Sequence, residues 1–175
     1  MYKYVFSYGS NLTLERISAR TPSVRKVRNY YLENFALKFN KRSIDGSTKA
    51  NIQPSTGEAT WGIIQSILPE DEGKLDAAEG LGKGYSKKFF TAQTGGETSQ
   101  IFYYSADWIT EGVPFDWYLN YVIYGAIRND FPKEYIRKLI RIRSSQDQGC
   151  TSKGFNEVLT SQIDQHRARY PHLWK

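Results

Sequence analysis

The sequence predicts an α+β fold in which a small mixed β-sheet or β-barrel is flanked by helices. Three observations predict it. The chain opens on a short apolar segment running into a glycine turn, its middle alternates strand-like segments with turn signals, and its last third has helical periodicity. With 175 residues it is long enough to bury a core without staples. It reads as one domain over 1–175, with a helical C-terminal extension over 144–175.

Each element has its own local reason. Tyr4 to Tyr8 reads as a short buried strand, broken by Gly9-Ser10-Asn11. Leu12 to Arg20 places Leu14 and Ile17 on one helical face, and Thr21-Pro22 stops it. Strands are expected at Phe35 to Phe39, Lys49 to Gln53, Trp61 to Leu68, Tyr85 to Gln93 and Gln100 to Ser105. Asp45-Gly46-Ser47, Pro54-Ser55-Thr56-Gly57 and Thr94-Gly95-Gly96 separate them as turns. A helix is expected from Pro69 to Glu79, with Pro69 at its first position and Gly80 just past its end. Asp116 is placed to cap a helix through Arg128, and Lys133 to Arg143 continues the helical pattern. Ser152 is placed to cap a third helix bearing Phe155, Val158, Leu159 and Ile163.

Composition narrows the function classes. Lys and Arg number 24 against 18 Asp and Glu, giving a formal charge of +6, which permits an anionic partner without demanding one. Cys150 is the single cysteine, so no intrachain disulfide can form. Met1 to Phe6 lacks the apolar stretch of a signal peptide, and the apolar run from Tyr118 to Ile127 is too short to span a bilayer. These features lead to the expectation of a soluble cytoplasmic protein with no membrane contact.

Two segments carry candidate chemistry. In Tyr8-Gly9-Ser10-Asn11 a strand feeds a glycine turn into a helix, and backbone N–H groups gathered there suit a carboxylate or oxyanion. The plainer alternative is an ordinary turn in which Asn11 or Thr13 caps the helix. In Leu75-Asp76-Ala77-Ala78-Glu79-Gly80, Glu79 falls in the last helical turn, where the helix field disfavours its ionised form. A carboxyl group so placed can take and return a proton near neutral pH; the alternative is a solvated surface glutamate.

Other segments offer less. Gly80-Leu81-Gly82-Lys83-Gly84-Tyr85 follows no strand and lacks the lysine–threonine pair of a phosphate loop. His166 and His172 form no metal-ligand pattern, no serine nucleophile elbow occurs, and Cys150 has no nucleophile context. The run Arg137-Lys138-Leu139-Ile140-Arg141-Ile142-Arg143 reads as an amphipathic helix with a solvated basic face, with RNA binding as its alternative.

Several of these residues together resemble the gamma-glutamylcyclotransferase family. The resemblance rests on Tyr8-Gly9-Ser10-Asn11-Leu12 with Glu15-Arg16-Ile17 and Arg20-x-Pro22-Ser23, then Trp61-Gly62-Ile63-Ile64. It continues through Leu75-Asp76-x-x-Glu79-Gly80 and Tyr85 to Tyr118, Gly125-Ala126 and Pro132-x-Glu134-Tyr135. It implies a β-barrel flanked by helices, no cofactor and no metal. It also implies a small-molecule gamma-glutamyl substrate, cyclised to 5-oxoproline with release of an amine. On this resemblance Glu79 is the acid/base, Tyr8, Gly9, Ser10, Asn11 and Leu12 form the glutamyl-binding loop, and Tyr85 and Tyr118 line the pocket. A homodimer is compatible with this reading, and nucleic acid is not the expected partner.

The spacing from Glu79 to Tyr85 is one residue shorter than in the animal enzymes, and Lys83, Lys87 and Lys88 lie in or just after that loop. These departures leave the released partner open, including a specialised conjugate of the kind met in antibiotic biosynthesis. Two rival readings stand beside the enzyme. One is a non-catalytic anion- or ligand-binding domain on the same scaffold, and the other is a basic RNA-associated protein.

Overall fold

The computed structural model describes residues 1–147 and 155–175. A five-stranded mixed sheet has strand order β2-β3-β1-β5-β4. The strands are β1 Lys3–Ser7, β2 Arg25–Arg42, β3 Thr48–Ile67, β4 Tyr85–Thr94 and β5 Glu97–Ala106. The helices are α1 Leu14–Ser18, α2 Pro69–Glu79, α3 Asp116–Arg128, α4 Lys133–Ile140 and α5 Phe155–Arg169. Central β1 pairs antiparallel with β3 and parallel with β5, so the turn leaving its C-terminal end emerges between two neighbours.

The expected barrel is not closed. Edge strands β2 and β4 are not neighbours in the sheet. The far end of β2 instead meets the segment after β5: the Arg42 N–H donates to the Trp108 carbonyl at 2.9 Å, and Thr110 N–H to the Asn40 carbonyl at 2.8 Å. The sheet therefore curls over one end and stays open along the rest.

Two expected strands are one. Phe35–Phe39 belongs to an 18-residue β2, and Lys49–Gln53 and Trp61–Leu68 are joined in a 20-residue β3. The expected Pro54–Gly57 turn is a bulge: Glu33 pairs with Ala59 and Phe35 with Pro54, which sets residues 55–58 opposite Asn34 alone. Asn34 sits at φ 60° and its side chain accepts the Gly57 N–H at 3.1 Å. Turn-forming residues here bend a strand without ending it. The first half of β2 was not legible because an edge strand so largely exposed shows little apolar alternation.

The helix expected over Leu12–Arg20 is split into a 3-10 turn, Ser10–Leu12, and the short α1. Helix α2 has its expected bounds, and Gly80 takes the left-handed conformation at φ 72°. Helix α3 begins at Asp116 with Phe115 as its cap, and α4 stops at Ile140. Ser152 and Cys150 lie outside the described residues. The main core gathers Phe6, Tyr8, Leu12, Ile64, Ile101, Tyr118 and Val122 between the sheet and α3. In the C-terminal extension, Leu159 and Ile163 of α5 pack with Tyr121 and Tyr124 of α3. Among the described residues, no helix is long and apolar enough to cross a membrane.

Candidate active site

A small cavity of about 40 Å³ lies where β1 ends. Its lining includes Tyr8, Gly9, Ser10, Asn11, Glu79, Tyr85, Tyr104 and Tyr118. Residues some seventy positions apart thus meet in one place. Leu12 does not line it: its side chain is buried in the core, against α3. A Cβ on Gly125 would come within 2.8 Å of the Leu12 carbonyl carbon and 3.0 Å of the Thr13 nitrogen, so glycine there allows the Ser10–Leu12 turn to seat on α3.

Neighbouring side chains pin the turn. Thr13 Oγ1 donates to the Tyr121 carbonyl at 2.9 Å, and Asn129 Nδ2 donates to the Leu12 carbonyl at 3.0 Å. Arg16 Nε donates to Ser10 Oγ at 3.0 Å. Gly9 is required by close approach, since an added Cβ would lie 3.0 Å from Ala50 Cβ and 3.2 Å from the Tyr118 hydroxyl. Within the turn, Leu12 N–H donates to the Gly9 carbonyl and Thr13 N–H to that of Ser10.

Glu79 stands at the end of α2, which three sets of contacts fasten. Leu75 is buried in the core, Asp71 accepts the Ser23 hydroxyl at 2.6 Å, and Lys87 meets Glu72 at 2.5 Å and Asp76 at 2.9 Å. Lys87 is therefore occupied in holding α2 to β4. The Glu79 side chain is 17% exposed, and the described residues bind its carboxylate through one oxygen. Its Oε1 accepts Asn11 Nδ2 at 3.0 Å and also Arg20 Nη1, which in turn donates to Asn11 Oδ1 at 2.9 Å. Oε2 takes no hydrogen bond from a described residue. Arg20 was quoted in the sequence resemblance without a role. Its link to Glu79 spans 59 residues, which no local pattern reveals.

The tyrosines form the wall. Tyr85 Oη donates to the Ala50 carbonyl at 2.7 Å, and the Ala50 N–H donates to Tyr118 Oη at 3.1 Å. Tyr8 Oη donates to the Tyr104 carbonyl, and Tyr104 Oη to Asp76 at 2.6 Å. Burial above all, with the Glu79 carboxylate adding to it, pushes Tyr8 and Tyr85 well above the ordinary phenol range. Burial likewise raises Tyr118. These phenols are neutral hydrogen-bonding groups at physiological pH. Among the described residues, no group of three or more His, Cys, Asp or Glu is placed to hold a metal ion.

The AIG2-like family model matches residues 59–139, a stretch that contains Glu79, Tyr85 and Tyr118. Gamma-glutamylcyclotransferase of Bos taurus is 29% identical over 165 residues, covering 88% of this chain and 86% of that protein. The Homo sapiens protein of the same name is 28% identical over 164 residues, with the same coverage of each. A solved structure titled gamma-glutamyl cyclotransferase superposes with a TM-score of 0.82 at 27% identity, covering 94% of this chain and 99% of that one. The chain is similar to gamma-glutamylcyclotransferases over most of its length. Like the sequence, the fold is matched over nearly its full length, and the mixed sheet with its flanking helices is the matched architecture.

Proposed function

We propose that this protein is a cyclotransferase acting on a gamma-glutamyl amino acid or amine, releasing 5-oxoproline and the free amine, with Glu79 as acid and base. The observation that carries the reading is the one-sided binding of Glu79: Asn11 and Arg20 hold Oε1, while Oε2 is without a hydrogen bond from any described residue beside the Gly9 turn. One oxygen fixes the carboxylate and the other is available for a proton.

The reaction needs no enzyme nucleophile. The substrate's α-amine attacks its own γ-carbonyl, forming the ring C–N bond. Collapse of the tetrahedral intermediate then breaks the bond to the departing amine. The α-nitrogen gives up two protons in going from ammonium to ring N–H, and the departing nitrogen takes up two to leave as an ammonium; Glu79 relays them one at a time, so the carboxylate ends as it began. The protein's part is to hold the glutamyl chain folded, where intramolecular attack is strongly favoured. Gly9 allows close approach to the turn, whose Gly9, Ser10 and Asn11 N–H groups suit the substrate carboxylate or the developing oxyanion. Tyr85 and Tyr118 bound the pocket. Incubating purified protein with a panel of gamma-glutamyl compounds tests the reading: 5-oxoproline should form from at least one, and its absence throughout would leave a ligand-binding role for the cavity.

A further inference from the structure

Three large apolar side chains stand in water on one lobe of the molecule. Ile44, at the tip of the hairpin joining β2 to β3, is fully exposed, and Trp108 and Ile109, just past β5, are 60% and 57% exposed. The backbone sets these segments side by side. Arg42 N–H bonds the Trp108 carbonyl, Thr110 N–H bonds the Asn40 carbonyl, and Lys41 bridges to Ile109. The tip has no slack with which to tuck Ile44 away. Gly46 N–H donates to the Ser43 carbonyl at 3.3 Å, Ser43 N–H to that of Ser47 at 3.1 Å, and Asp45 holds both Ser47 and Lys49. Single exposed apolar residues are ordinary, but a cluster held out by a fixed turn marks a contact surface. Cations surround the cluster. Lys41, Arg42 and Lys83 line one cleft with Ile44 and Trp108, and Arg143 lines the neighbouring cleft with Ile109. The two clefts share Thr110 and Glu111, and Glu111 is the one acidic residue in either lining. None of these four cations takes part in an ion pair among the described residues, whereas Lys49 is neutralised by Asp45 at 2.7 Å.

We propose that this lobe docks on an anionic lipid surface. Ile44, Trp108 and Ile109 enter the headgroup boundary, where an indole is at home, and the four cations meet the lipid phosphates and carboxylates. Charge complementarity decides for this occupant. A second copy packed patch to patch would set four cations against four. A single-stranded RNA would use the cations and stack a base on Trp108, but it would leave Ile44 and Ile109 without a role. The docking needs no spanning segment and is independent of the cyclotransferase reading. It departs from the expectation of no membrane contact, which rests on the lack of a spanning segment. Residues 44 and 108–109 come from separate stretches of chain, so no sequence window shows them as one surface.

Co-sedimentation of the full chain with vesicles tests this, one set of phosphatidylcholine alone and one of phosphatidylcholine and phosphatidylserine in equal parts. The protein should bind the mixed vesicles and leave the neutral ones, less strongly as salt is added. Arg42→Gln and Lys83→Gln should each lower the partition coefficient about fivefold, and Ile44→Asp about tenfold or more. Lys26→Gln removes the same charge from an exposed site at the opposite end of β2 and should change little. Melting temperatures of the variants check that each is folded. Equal binding to both vesicles, no binding to either, or an equal loss in Lys26→Gln and Arg42→Gln would overturn the proposal. So would binding that Ile44→Asp leaves intact, which would reduce the surface to a patch of charge. Polyuridylate bound in place of vesicles would assign the cations to RNA, and self-association abolished by Ile44→Asp without lipid binding would assign the patch to a second copy; either result overturns the proposal.

Discussion

On the family resemblance Tyr118 lines the pocket, so losing its hydroxyl is expected to impair substrate positioning more than the fold. The structure gives that hydroxyl a second task, because it accepts the N–H of Ala50 at 3.1 Å in a buried setting. Tyr118→Phe leaves that donor without its acceptor, which costs about 1–3 kcal/mol. For a chain of this length the melting temperature should fall by roughly 2–12 °C, measured by calorimetry. An unchanged melting temperature would mean that the Ala50 N–H finds another acceptor. The reading of Glu79 from sequence was incomplete in a similar way. The helix end and Gly80 were legible because they follow local rules, but Arg20 and Asn11 reach Glu79 only through the fold.

At the scale of elements, the hairpin joining β2 to β3 carries its own pH dependence. Asp45 accepts Lys49 Nζ at 2.7 Å and both the N–H and hydroxyl of Ser47, at 3.0 and 2.8 Å. Burial is the largest single influence on Asp45 and opposes ionisation, yet these hydrogen bonds together outweigh it and bring the pKa from 3.8 to about 2. A carboxyl depressed on folding stabilises the native state above its ordinary pKa, and that stability is lost as pH falls through the folded value. Lys49 remains a cation throughout this acid range, with its ammonium 4.6 Å from the Trp117 ring centre. Asp45→Asn should therefore destabilise by on the order of 1 kcal/mol at neutral pH, with the difference shrinking between about pH 4 and pH 2. Denaturant titrations of both proteins across that range would show it, and a difference independent of pH would assign the effect to shape rather than charge. This Asp45-Gly46-Ser47 turn was readable because its chemistry is local. The Pro54–Gly57 segment carries the same turn-forming residue types but lies opposite Asn34 within a continuous ladder, and pairing across β2 overrides it.

For the whole molecule, the order of elements was legible and the closure of the sheet was not. Strand and helix periodicities are properties of short windows, whereas a barrel depends on whether two edges far apart in sequence come to pair. Here β2 bends enough for Asn40 and Arg42 to bond the segment after β5, without β4 completing the ring. The same curl brings Ala50 of β3 against Gly9, Tyr85 and Tyr118, so the cavity is a product of the global topology. If that cavity works by positioning and proton transfer alone, adding a chelator or a nucleotide should leave 5-oxoproline formation unchanged. A large change with either would require a different mechanism. The central claim is met most directly by comparing 5-oxoproline formation in the unaltered protein and in a folded Glu79→Gln variant. Glutamine keeps the volume and can still hydrogen-bond, but it cannot accept the substrate's proton. Turnover should fall by about a hundredfold or more while substrate binding changes little. A folded Glu79→Gln variant with near-normal turnover would contradict the account.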